Sequence, residues 1–135
     1  MQNLGQNWNT TFFAPHLALI NVKAGMEFYV KAFGAQELRR FSNDDGSVHV
    51  AEMEINGAMF HIHEISERNK QLSPETIKAT TLVIGLFTPD PDQLFHQAVK
   101  AGGQVSSPMQ DFEYGYRQGV IIDPFGHQWL IQKKI

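Results

Sequence analysis

The sequence predicts an α+β domain built from two tandem βαβββ modules, and three observations lead to that expectation. The first is an internal repeat. Set against itself with an offset of 69 residues, the chain places Val30-Lys31-Ala32 on Val99-Lys100-Ala101, Gly34 on Gly103, Gly46 on Gly115 and Gly57 on Gly126. Matched glycines weigh more than matched apolar residues, because glycine marks turns and helix ends where backbone geometry restricts the choice. The second is that both halves run through the same order of patterns: an apolar strand, an amphipathic helix and three short strands. The third is the turn chemistry between those strands, Asn43-Asp44-Asp45-Gly46 and Asn56-Gly57.

In the first module, residues 12–20 form the expected opening strand. Asn21 then caps a helix whose Met26, Tyr29, Val30 and Phe33 recur at three- and four-residue spacing, and Gly34 ends it. Strands are expected at 37–42, 48–55 and 58–65. The second module opens with a strand at 81–88, and Asp90-Pro91 supplies a cap followed by a first-turn proline. Leu94, Phe95, Ala98 and Val99 form a buried stripe, Gly102 stops the helix, and strands follow around 104–108, 119–122 and 127–132. The organisation is a single domain over 12–135, with module 1 at about 12–66, a polar linker at 67–78 and module 2 at about 79–135. Residues 1–11 read as a flexible N-terminal segment.

Composition narrows the function classes. The chain has 135 residues, enough to bury a core, with hydrophobic and charged fractions ordinary for a globular protein. Eleven basic against fourteen acidic side chains give a net charge of −3, which offers no footprint for nucleic acid or an anionic membrane. The absence of cysteine excludes disulfides, thiolate metal sites and cysteine nucleophiles. No apolar run approaches the roughly 20 residues that span a bilayer. The polar start lacks a signal-peptide pattern, so a cytoplasmic protein is expected and the sequon at Asn9 is read as chance. Phosphate loops, nucleophile elbows and HExxH helices are absent.

The duplicated order resembles a known family, the vicinal-oxygen-chelate or glyoxalase/bleomycin-resistance/dioxygenase superfamily. The residues that carry the likeness are Phe28-Tyr29, Ala32-Phe33-Gly34-Ala35 and Asp123-Pro124-Phe125-Gly126-His127. Gly46 to Gly57 and Tyr114-Gly115-Tyr116-Arg117-Gln118-Gly119 are similar to its PhnB-like branch. The resemblance covers about residues 13–133 and implies two modules forming a cup-like curved mixed sheet, often completed in a homodimer. It also implies either of two activities. Some members hold a divalent metal through two side chains from each module and act as lyases, isomerases or dioxygenases on small oxygen-rich substrates. Others are metal-free and sequester a flat, apolar small molecule.

Carried over position by position, the implied metal ligands fall on His16 and His61 in module 1, with His63 on the same strand face as His61. In module 2 the corresponding positions fall on Val83 or Gly85 and on Leu130, none of which ligates metal. Half the implied ligand set is missing, so no cofactor is assigned and a divalent metal stays open. A drier cup suits binding of an apolar or aromatic small molecule, with His16, Met59, His61, His63, Phe87 and Leu130 as its lining. Tyr116 and Arg117 are further candidates, placed in a glycine-flanked loop; Arg117 can grip an anionic ligand or pair with Asp111 or Glu113. Each histidine also has a plainer reading, as a pocket wall or a solvated side chain, and Glu52 or His61 is a candidate base for metal-free chemistry.

Overall fold

A computed structural model describes residues 8–135, so residues 1–7 of the expected flexible segment lie outside the described residues. The first module runs β1 (His16–Leu19), α1 (Val22–Phe33), β2 (Gln36–Ser42), β3 (Val48–Ile55) and β4 (Ala58–Glu64). After the one-turn helix α2 (Pro74–Ile77), the second runs β5 (Val83–Phe87), α3 (Pro91–Ala101), β6 (Gln104–Phe112), β7 (Tyr116–Ile122) and β8 (Gln128–Lys134). They form two four-stranded mixed sheets of matching order, β1-β4-β3-β2 and β5-β8-β7-β6. In each, the first and last strands of the module pair in parallel while the other pairings are antiparallel.

The local chemistry behaves as the sequence expects. Asn21 accepts a hydrogen bond from the Ala24 backbone N–H at the start of α1, and Asp90 accepts one from Gln93 at the start of α3. Gly34 ends α1 at φ +66°, a left-handed conformation that costs glycine nothing. Alternation then decides the two faces of each sheet. Leu17, Leu19, Ala51, Met53, Phe60 and Ile62 point to the helices and are buried, as are Ile84, Leu86, Ile121, Trp129 and Ile131 in the second sheet. All belong to one continuous core with Tyr29, Phe33, Leu94 and Phe95. Gly25 lets α1 approach β1 closely: a Cβ there would run into the Leu19 side chain.

The Asp123-Pro124-Phe125-Gly126-His127 turn locks the modules together. The buried Asp123 carboxylate accepts from the Tyr29 hydroxyl at 2.5 Å, from Trp129 Nε1 at 2.9 Å and from the backbone N–H groups of Phe125 and His127. His127 Nε2 hydrogen-bonds the Ala18 carbonyl on β1 at 3.0 Å. Burial and the Asp123 charge push the Tyr29 phenol well above its ordinary pKa, which keeps it a donor.

Three expectations need correction. The opening strand spans His16–Leu19 instead of 12–20, because Phe13 is 99% exposed and pairing begins only where the Pro15 carbonyl accepts from the His61 N–H. Strand β6 runs past Pro108 to Phe112. It is an edge strand, and Pro108 falls in its irregular stretch between Ser107 and Gln110, where a missing N–H is tolerated. As a result Tyr116 and Arg117 open β7 instead of lying in a loop; the turn shrinks to the residues around Gly115, at φ +92°. The polar linker is also more ordered than its composition suggests, with reciprocal 2.8 Å bonds between Ser66 and Gln71 and Ser73 capping α2.

Candidate functional site

Each sheet presents one face to the helices and leaves the other open. On the first sheet's open face His16 and His61 are direct partners across the β1–β4 pair, and their imidazoles stack with centroids 4.2 Å apart and planes 18° from parallel. His63, two residues on, lies 6.3 Å from His16. Glu52 stands opposite His61 on β3 and Arg39 opposite Glu52 on β2. Arg39 grips one Glu52 oxygen through Nε and Nη2 at 3.2 and 2.8 Å, and its guanidinium also lies 4.9 Å above the Phe41 ring. Desolvation, followed by the neighbouring His16, lowers the His61 pKa, and Glu52 opposes that shift. His61 is therefore a neutral imidazole at neutral pH.

A cavity of 490 Å³ opens along this face, lined by His16, His49, His61, His63, Glu64 and Gln71 among others. His49 Nδ1 is 2.9 Å from Glu64, which also accepts from Asn43 at 3.0 Å. Alternation could not assign His49 to a face; here it is an exposed strand residue turned to Glu64. His63 Nδ1 hydrogen-bonds the Glu64 carbonyl, leaving Nε2 unengaged. Arg39 and the linker residues Ser66, Asn69 and Gln71 were not legible as site residues, since nothing in a polar linker says which strand it folds against. Glu54, also on the open face, has a buried Oε2 without a hydrogen-bond partner, and desolvation raises its pKa.

The second sheet's open face is different in kind. Gly85 and Leu130 are direct partners across β5–β8, each 69 residues after His16 and His61, so they hold the equivalent positions. The register therefore selects Gly85 over Val83. Phe87 and Tyr116 approach edge to face at 5.7 Å, and the rings continue through Tyr114 to Phe112 at 5.8 and 5.2 Å. Met59 joins Gly85 and Trp129 in a separate 230 Å³ cavity between the modules. Arg117 points the other way, toward α3: Nε and Nη2 bond both Asp92 oxygens at 2.8 and 2.7 Å, and Nη1 bonds Asp111 at 2.9 Å. Those hydrogen bonds raise its pKa further. His96 is an exposed residue of α3.

These residues do not fit a four-ligand metal centre. Gly85 and Leu130 have no donor atoms to set against His16 and His61. Imidazole lone pairs lie in the ring plane, so two rings stacked almost in parallel do not converge on one ion roughly 2.0–2.1 Å from each nitrogen. Among the described residues, no group of three or more histidine, aspartate or glutamate side chains is disposed to hold a metal.

Comparison with known proteins agrees with this architecture. An uncharacterized protein of Mycobacterium bovis is 34% identical over 125 residues, covering 90% of this chain and 82% of the relative. Among solved structures, TioX from Micromonospora sp. ML1 superposes with a TM-score of 0.72 at 22% identity, over 93% of this chain and 97% of TioX. A bleomycin-binding protein complexed with bleomycin gives 0.70 at 17%, over 93% and 100%. The PhnB protein from Bacillus cereus gives 0.61 at 20%, over 92% and 98%. The family model described as Glyoxalase/Bleomycin resistance protein/Dioxygenase superfamily matches residues 15–131, and the chain belongs to that superfamily.

Proposed function

We propose that this chain is a small-molecule-binding member of the superfamily that works without the four-donor metal centre. The observation that carries this reading is the Gly85–Leu130 pair in the place where the first module has His16 and His61. The ligand is a planar, largely apolar molecule. The rings of Phe87, Tyr116 and Tyr114 supply its face contacts, and His16, His61 and His63 supply hydrogen bonds to its polar edge. The bleomycin complex of a fold neighbour supports small-molecule binding as the use of this scaffold.

The protein acts as a cytoplasmic homodimer in this reading. Val83 and Phe87 are about half exposed on an open sheet face and Tyr114 is exposed at the β6–β7 turn, so a second copy has apolar surface to cover. No helix among the described residues is long and apolar enough to cross a membrane. A second, enzymatic reading has one observation in its favour: His61 is kept neutral and faces Glu52, the arrangement of a metal-free general base.

A thermal-shift screen of planar aromatic compounds, followed by titration of the hits, tests the proposal. Binding that weakens in both Phe87→Ala and His61→Ala supports it. Hits insensitive to both substitutions overturn it, and turnover of a hit that is lost in His61→Ala selects the enzymatic reading.

A further inference from the structure

A third cavity, of 240 Å³, lies between the linker and the edge strand β1. It shares His16, His63 and Gln71 with the cavity on the first sheet's open face, and its lining contains no carboxylate. The basic side chains on it are Lys70, His16, His63 and His127.

Several polar groups here have unspent hydrogen-bonding capacity. Among the described residues, Lys70 makes no ion pair, and the side chains of Gln71, Thr81 and His16 make no hydrogen bond. His63 has Nε2 unengaged. By contrast, the Thr80 hydroxyl is spent on Leu82 and His127 Nε2 on Ala18. The Lys70 backbone is fixed at the rim of the cavity: the Ser66–Gln71 bridge closes the loop, Lys70 N–H bonds the Glu67 carbonyl at 3.1 Å, and the residue adopts φ +58°. The rest of the wall is largely apolar, with Leu72, Pro74, Ile77 and Leu82 along it.

We infer that this chamber binds a small organic anion, with its carboxylate or phosphate at Lys70, Gln71 and Thr81 and its apolar body against Leu72, Ile77 and Leu82. A compact ammonium beside neutral donors recognises an oxyanion as a point charge. The apolar wall gives a body to which inorganic anions have no counterpart. This inference goes beyond the ligand proposed for the open faces, and it involves different residues.

The test is an NMR titration of the full chain with benzoate and phenyl phosphate, with benzyl alcohol as the neutral analogue and inorganic phosphate as the head group alone. The expected result is saturable shifts at residues 70–72 and 80–82, with the neutral analogue and the bare ion each binding roughly tenfold more weakly. The tighter of the two aromatic anions identifies the head group. Lys70→Asn, which keeps a left-handed residue and removes the charge, weakens anion binding roughly tenfold and leaves the benzyl alcohol response unchanged. Equal binding of neutral and anionic probes, shifts confined to Phe87 and Tyr116, or no shift at all would overturn it.

Discussion

His16 on β1 and His61 on β4 are direct partners in a parallel register, with their rings stacked 4.2 Å apart on the first sheet's open face. Applying the 69-residue offset to both puts Gly85 opposite Leu130 in the second sheet. The duplication thus preserved the backbone pairing while leaving donor atoms on one side only. The first sheet's open face therefore carries imidazoles at this place, whereas the second carries a glycine and a leucine, with the rings of Phe87 and Tyr116 on the same face.

His61→Ala is expected to leave the fold intact and to weaken ligand binding. The side chain is half-buried on the open face, outside the core, so the stability cost stays within about 1 kcal/mol. Chemical denaturation alongside a ligand titration checks both parts. A collapse of stability would make His61 a structural residue.

Asp123→Ala should be among the most damaging single substitutions. It strands four donors, from Tyr29, Trp129, Phe125 and His127, at the junction of the modules. The expected loss is about 3 kcal/mol or more, read as a drop in the urea midpoint. A loss under about 1 kcal/mol would show that the turn does not hold the modules together.

Tyr29 makes stability fall at alkaline pH. Its folded pKa lies above the unfolded value near 10, so the unfolded chain releases the proton first. The contribution is complete below about pH 10 and is lost as pH rises from there toward the folded pKa. Melting temperatures between about pH 8 and 11 should fall more steeply for the native chain than for Tyr29→Phe. Parallel curves would contradict the assignment.

Arg117→Ala should loosen the β7–α3 contact and leave ligand binding alone. The guanidinium is spent on Asp92 and Asp111 on the helix side of the sheet, facing away from Tyr116. A small drop in melting temperature with unchanged affinity is the expected result. A marked loss of affinity would place Arg117 in the site after all.

Much of the fold was legible in the sequence because it is duplicated: the offset that aligns Gly46 with Gly115 and Gly57 with Gly126 also aligns turns at φ +88°, +92°, +91° and +90°. Caps at Asn21 and Asp90 follow from local hydrogen bonding and needed no tertiary information. Edges were harder. Pro108 reads as a strand end from local rules, yet an edge strand tolerates it, and that error displaced Tyr116 and Arg117 into a loop. Within the site, alternation placed His61 and His63 on one face. It could not show that Arg39 restrains Glu52 or that the linker folds back over His16, because both depend on contacts between distant segments.

The most direct test of the central claim is the metal content of tag-free protein by plasma mass spectrometry, paired with thermal-shift titrations of zinc, nickel, manganese and iron. Well below one equivalent per chain and no stabilisation by any of the four ions are expected. About one equivalent per chain, with stabilisation lost in His16→Ala and His61→Ala, would contradict it and make those two histidines metal ligands.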